Sequence, residues 1–386
     1  MSANTGDTVI PNFSNRNESS TPNGRVEPII LSLEQNQRIA NTTSFRELSS
    51  LRRELLDISG ITRLKRAGEL APLAVLVNMI HDRLIRQSVE LSVRKLEELG
   101  LGRPPVPYAF LLFGSGGRQE QALVSDQDNG LVYQLPPHLN KGEREEVHKY
   151  FHLFGASIVQ GLEEAGYPPC HGNVTCVHNR WRGSIEQWIA LYDDWRNNPT
   201  WENARYLLLA GDARVLTGDA SIFAPVEAHY YQQLINNPLL LSRLASNTLY
   251  HRVPLGWFGR ITTEVQGRYR GAINLKNGVY LPFVNCVRHY ALACGVRATT
   301  TLERAAALRE KGIWPEEFSR SVEHHFRQLL GLRLLPPLHW QDEQYLSNSY
   351  IKLSELPKET LSTIKAAMKL ALLLQKMTAK LPHGNL

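Results

Sequence analysis

Only 4 cysteines occur in 386 residues, too few for a disulfide framework in a chain of this size. Apolar runs are short: Leu70 to Met79 and Ala366 to Leu374 are the most apolar stretches, and neither approaches the roughly 20 residues that span a bilayer. The first residues, MSANTGDTVIPNFSN, lack the basic and apolar regions of a signal peptide. These absences predict a reducing, cytoplasmic, soluble protein with no membrane partner. No internal repeat appears, and 42% hydrophobic with 21% charged residues excludes disorder throughout, collagen and coiled coil. Lys+Arg 43 against Asp+Glu 37 gives a net charge of +6, which suits an anionic partner such as nucleic acid, phosphates or a membrane surface without choosing among them.

Sixteen of the first 24 residues are Ser, Thr, Asn, Pro or Gly. Such a composition buries too little apolar surface to offset its ordering entropy, so residues 1–27 read as a flexible tail. From there to residue 100, apolar residues recur at helical spacing (Leu48, Leu51, Leu55; Leu73, Leu76, Met79, Ile80, Leu84), predicting a helical segment over 28–100. The prolines of Arg103-Pro-Pro-Val-Pro107 then introduce an extended apolar run, Tyr108 to Phe113. A glycine turn and short helix, an acidic pair and a second apolar run, Gly130 to Tyr133, follow. Helices are expected over 143–165, 185–196, 201–210, 226–245, 285–293, 302–311, 315–332 and 354–380. The predicted division is a mixed strand-and-helix domain over 101–225 and a helical domain over 226–386.

The chemistry concentrates in Phe113-Gly-Ser-Gly-Gly-Arg-Gln-Glu120 and Ser125-Asp-Gln-Asp128. Glycines after a buried strand let backbone N–H groups approach a ligand, which favours phosphate; an isolated run of this kind is also a plain tight turn. Asp126 and Asp128, one residue apart at the entrance of an extended segment, point to the same side. Two such carboxylates suit Mg²⁺ whose other ligands are water and phosphate oxygens, although Asp-x-Asp also serves as a cap or turn acid. The order strand, Gly-Ser, Asp-x-Asp, strand says more than either half. No G-x-x-x-x-G-K-[ST] is present, Gln119 stands where G-x-G-x-x-G needs its last glycine, and Phe113 stands where a nucleophile elbow needs its first. Kinase, Rossmann and serine-hydrolase readings therefore fall.

The stretch FGSGGRQEQALVSDQDNGLVY resembles the signature of a nucleotidyltransferase-like family related to the N-terminal domain of protein-PII uridylyltransferase. The resemblance continues through Gly166-Tyr-Pro-Pro-Cys-His-Gly-Asn173, Trp181-Arg182, Trp188, Gly211-Asp-Ala-Arg-Val-Leu-Thr-Gly218, Leu275-Lys276, Arg288 and Thr301-Leu-Glu-Arg304, over roughly residues 70 to 380. It implies an α+β fold: a polymerase-beta-like nucleotidyltransferase domain with a small mixed sheet, preceded by the helical segment and followed by an all-helical putative substrate-binding domain. By that resemblance Gly114, Ser115 and the adjoining Gly116 hold a triphosphate, and Asp126 and Asp128 bind Mg²⁺ or Mn²⁺. Arg118 pairs with phosphate or with a carboxylate, and Glu120 orients Arg118 or caps the helix. The superfamily's third carboxylate, which activates the attacking hydroxyl, is assigned to Asp212, which also reads as a turn acid after a helix.

From Arg252 to Lys311 ten basic residues face three acids, a net +7 against −1 for the rest of the chain. Lys276, Arg288 and Arg304 sit at family-like positions in that segment and are expected to face the Asp126/Asp128 site, where cations neutralise charge on a transferred phosphoryl group. Cys170, His171, Cys176 and His178 match no established zinc spacing. The leading expectation is Mg²⁺-dependent transfer of UMP or AMP from UTP or ATP to a protein hydroxyl, with uridylylation of a signalling protein as its most specific form and a homodimer compatible with it. A non-catalytic nucleotide sensor is the alternative. Nucleotide addition to RNA is supported only by basicity.

Overall fold

The computed structural model describes residues 32–56, 67–168, 170, 172–235, 237–336, 338–341 and 344–381. The expected tail over 1–27 and His171 lie outside the described residues. Two short helices, α1 (Leu33–Ala40) and α2 (Phe45–Leu55), each begin on a serine, Ser32 and Ser44, whose hydroxyl accepts from the N3 backbone N–H. They pack on the long α3 (Ala67–Glu98).

A four-stranded sheet follows, formed by β1 (Tyr108–Leu112), β2 (Asn129–Tyr133), β3 (Arg182–Ser184) and β4 (Arg214–Gly218) in the order β3-β2-β1-β4. β1 is antiparallel to β2 and β4, and β3 runs parallel to β2. The sheet is apolar on both faces, which is why its central strands read as continuous apolar runs rather than alternating ones. Phe110, Leu112, Leu131 and Tyr133 join one core with α3 and α5 (Lys141–Glu164), after the single-turn α4 (Gly114–Gly117). Ala109, Leu111, Phe113 and Val132 join the other. That second core is aromatic, built on Trp181, Trp188 and Trp195 with α6 (Ile185–Asn197), α7 (Trp201–Ala210), α8 (Ala224–Ile235) and α9 (Pro238–Thr248).

The C-terminal region is helical: α10 (Leu281–Ala293), α11 (Thr301–Glu310), α12 (Glu316–Leu332) and α13 (Lys358–Ala379). Its buried side chains, Phe283, Val287, Phe326 and Leu374 among them, belong to the same core as α3 and one face of the sheet. Two short ribbons that the sequence reading leaves out decorate it, β5 (Ala272–Asn274) with β8 (Tyr350–Lys352) and β6 (Leu338–Gln341) with β7 (Gln344–Ser347). Strands of three or four residues carry too little periodicity to read, and the first pair joins segments far apart in the chain.

The helix expected over 226–245 is two helices, because Pro238 cannot donate a backbone hydrogen bond and instead starts α9 at its first turn behind an Asn237 cap. The glycines expected as a turn before a helix form α4 themselves.

α12 crosses α3 where a side chain is excluded. A Cβ on Gly331 would lie 2.7 Å from Leu70 Cβ and 2.9 Å from the Ala71 nitrogen. Gly331→Ala gains about 1 kcal/mol of helix propensity, but the added carbon meets backbone that can yield only by separating the helices. The substitution is expected to destabilise by a net of about 1–3 kcal/mol, read as a lower urea midpoint. An unchanged or higher midpoint would refute this close packing.

Candidate nucleotide site

β1 delivers the chain into the site through Phe113, whose N–H donates to the Asp128 carbonyl at 2.9 Å. Gly114 then adopts φ +53°, and a Cβ there would stand 2.5 Å from Asp128 Oδ2. Only glycine lets this turn accept the carboxylate at such range. Gly117 has a comparable constraint from behind: its Cβ would lie 1.9 Å from the Asp212 carbonyl oxygen. Gly114 and Ser115 line the cleft, where the first N–H groups of α4 have no partner within their own helix. Gly116 does not line it; it is buried and its carbonyl accepts from Arg214 Nη2 at 2.8 Å. It therefore shapes the turn from beneath, and the expectation that Gly116 touches nucleotide gives way to that role.

Asp126 and Asp128 both line the same cleft and are half-buried. The Cys170 thiol donates to Asp128 Oδ1 at 2.9 Å. Burial raises the Asp128 carboxyl above the usual range, the Cys170 bond lowers it, and the Asp126 charge raises it again, with a net upward shift. A carboxylate disfavoured by its own burial and by a neighbouring negative charge, as Asp128 is, is stabilised by a cation. Among the described residues no third His, Cys, Asp or Glu completes a metal group with them, so the pair fits a hard ion that keeps water and phosphate oxygens as its remaining ligands, as Mg²⁺ does. The Cys170, Cys176 and His178 portion of the cysteine-histidine cluster forms no such group either; Cys176 is buried against Gly155.

The cleft encloses about 450 Å³. Its two carboxylates face five permanent cations, Arg118, Arg205, Lys276, Arg288 and Arg333. Lys276 begins a π-helical turn, Lys276–Tyr280, that leads into α10. It is half-buried and its charge acts on Asp128. Arg288 reaches the cleft from α10, and its Nε is buried without a hydrogen-bond partner.

Behind this wall lies a buried charge cluster. Asp212, wholly buried, accepts from Arg118 Nη1 at 2.5 Å and Arg288 Nη1 at 2.6 Å on one oxygen and from Arg304 Nη1 at 2.9 Å on the other. Arg304 also donates to the carbonyls of Ala298 and Gly211 and does not line the cleft. Glu120 accepts from Arg118 Nε at 2.8 Å, from the Tyr280 hydroxyl at 2.6 Å and from the Thr301 N–H at 2.8 Å. Arg333 lies 3.9 Å over the Tyr280 ring and donates to the Glu120 carbonyl.

Two expectations change accordingly. Asp212 lies in the turn between α7 and β4, a strand the sequence reading leaves out, and both its oxygens are held by guanidiniums away from the cleft, so it positions Arg118 and Arg288 and does not reach an attacking hydroxyl. Arg304, expected to bind nucleotide, is the inner clamp on Asp212. Arg118 lines the cleft with its three nitrogens already engaged by Glu120, Asp212 and Tyr280.

Sequence reasoning did not single out Trp201, Arg205, Asn247, Tyr250, His251, Tyr280 and Arg333, all in the cleft lining. The signal available for the first two was their spacing with Leu208 and Leu209, one face of α7.

Burial opposes ionisation of Asp212, but Arg288, Arg118 and Arg304 outweigh it and hold the carboxyl below its ordinary range. The stabilisation it confers is therefore complete above the ordinary carboxylate pKa and is lost as pH falls through the lowered value. Asp212→Asn leaves three guanidiniums short of their counter-charge and is expected to cost about 3–5 kcal/mol at neutral pH. The difference from wild type should shrink in acid, as followed by denaturant unfolding. A neutral-pH midpoint equal to wild type would contradict the clamp.

A comparison with curated proteins finds no match. The family model described as "Putative nucleotidyltransferase DUF294" matches residues 61–202, and "Putative nucleotidyltransferase substrate binding domain" matches residues 238–381. The first match contains the glycine turn and both cleft carboxylates; the second contains Lys276, Arg288 and Arg304. On these two matches together, the chain belongs to the DUF294 family of nucleotidyltransferase-like proteins, with that family's substrate-binding domain.

Proposed function

We propose that the protein transfers a nucleoside monophosphate, UMP or AMP, from UTP or ATP to an acceptor hydroxyl, with a protein as the acceptor and Mg²⁺ as the required ion. The observation that carries this reading is the placement of the Gly114 turn against the Asp128 carboxylate in a cleft whose opposite wall is cationic. A triphosphate needs donors and positive charge, and its metal needs acidic oxygen ligands; one cleft supplies both.

In this reading Asp126 and Asp128 hold the ion, whose chemistry is to offset charge on the α-phosphate and the departing oxygens. Gly114 and Ser115 present backbone N–H groups to the phosphates. Lys276 and Arg288 approach from the C-terminal domain and stabilise negative charge as it develops. Arg118 holds its place through Glu120 and Asp212 and turns its charge toward the same space. The acceptor oxygen bonds to the α-phosphorus, the bond to the bridging oxygen breaks, pyrophosphate departs, and the acceptor's proton passes to water in the open cleft.

One observation favours a second reading. Among the described residues the cleft lining contains only two carboxylates, Asp126 and Asp128, so the activating carboxylate of the superfamily has no counterpart there. A protein that binds nucleotide and signals through its helical domain needs none. Incubation with labelled UTP or ATP, Mg²⁺ and host extract separates the two: label on an acceptor supports transfer, and calorimetric binding without transfer over any tested acceptor supports the sensor.

Asp126→Asn and Asp128→Asn are each expected to abolish metal-dependent label transfer while leaving the fold intact by circular dichroism; transfer that persists in both refutes the assigned centre. Lys276→Ala, in which no ion pair within the protein is lost among the described residues, is expected to lower kcat by roughly 10²-fold, measured in the same assay. An unchanged kcat would remove Lys276 from the reaction.

A further inference from the structure

The face of α7 that lines the cleft is graded from one end to the other. Leu209 sits at the phosphate end, with Cδ1 3.7 Å from where a Cβ on Gly114 would stand. Leu208 and Arg205 follow on the same face, and Trp201 ends it at the first turn of the helix. Eight residues separate Leu209 from Trp201, about 12 Å along the axis at ~1.5 Å per residue. The end of α9 and the residues after it form the facing wall with Asn247 and Tyr250.

Trp201 and Tyr250 meet edge to face with ring centroids 5.4 Å apart, yet remain 52% and 67% exposed. Most large aromatic rings of residues 101–225 are buried in one of the two cores; Trp201 and Tyr250 are brought together at the cleft and left open. Asn247, half-buried in the same lining, offers both a hydrogen-bond donor and an acceptor. Among the described residues none engages its side chain. The sequence of surfaces is therefore a phosphate turn, two leucines followed by Arg205, and an aromatic end with one amide.

A nucleoside triphosphate has the same polarity, anionic at one end and a flat heteroaromatic ring at the other. We propose that Trp201, Tyr250 and Asn247 form the nucleobase subsite: the base stacks on the aromatic pair and the Asn247 amide bonds to its edge. The subsite rests on the nucleotide reading above and adds the direction in which the nucleotide lies, with its base toward the N-terminal end of α7.

The test compares a nucleotide with its anionic end alone. Full-length wild type and the variants Trp201→Ala, Tyr250→Ala and Trp201→Phe are titrated calorimetrically in Mg²⁺ with UTP, ATP and inorganic tripolyphosphate. Wild type is expected to bind at least one nucleotide more tightly than tripolyphosphate. Each alanine variant should weaken that nucleotide by roughly 5- to 100-fold, the loss typical of a base–aromatic stack, with tripolyphosphate binding unchanged and with Trp201→Phe close to wild type. Equal affinity of wild type for nucleotide and tripolyphosphate, or equal weakening of both ligands in the variants, overturns the subsite and leaves the phosphate site standing. So does nucleotide affinity that survives both alanine substitutions while label transfer falls, which would assign the pair to the acceptor. Failure of wild type to bind any of the three ligands overturns the nucleotide reading and the subsite with it.

Discussion

The structure depends on one buried carboxylate. Asp212 holds Arg118 from the glycine turn, Arg288 from α10 and Arg304 from α11, and so joins the glycine turn to the helical C-terminal region. Isolated burial of three guanidiniums would be prohibitive, and burial of the carboxylate alone nearly so. Each is tolerable only while the others are in place. Glu120 extends the clamp by taking Arg118, Tyr280 and the first N–H of α11. The relation between the two regions is thus set by charge geometry as well as by the shared apolar core.

Arg118, Arg288 and Arg304 share the carboxylates of Asp212 and Glu120, and Arg333 donates to the Glu120 backbone carbonyl, so the cluster behind the cleft holds more positive than negative charge. The excess faces the space beside Asp126 and Asp128. An anion entering there relieves it, and a cation entering beside the aspartates relieves the opposite excess. Under the proposed function, metal and polyphosphate would therefore favour one another's binding at this place, which is the electrostatic basis for reading the cleft as a site for a metal-bound nucleotide. The basic segment from Arg252 to Lys311, conspicuous in the sequence, divides in the fold between a structural clamp at Arg304 and cleft-facing cations at Lys276 and Arg288.

What was legible in the sequence was local. The run from Tyr108 to Tyr133 declares its strands, turn and acid pair through neighbouring residues, and the structure keeps that order. Asp212 was not legible in the same way. Its partners lie 94, 76 and 92 residues away, and a Gly-Asp-Ala-Arg turn carries no mark of whether the acid faces a substrate or three arginines. Arg304 shows the same limit from the other side: its family-like position in a basic segment makes it an expected phosphate ligand, and its complete burial makes it a clamp. The aromatic end of the cleft lay between these cases. Trp201, Arg205, Leu208 and Leu209 share a helix face by spacing alone, but only the fold shows that the face opens onto the glycine turn.

The most direct measurement is a crystal structure of the full chain with Mg²⁺ and a non-hydrolysable nucleoside triphosphate. The expected result has the ion on Asp126 and Asp128, phosphate oxygens at Gly114 and Ser115 within reach of Lys276 and Arg288, and Asp212 still closed on its three arginines. Phosphates bound elsewhere, or an ion held without Asp126 and Asp128, would contradict the account.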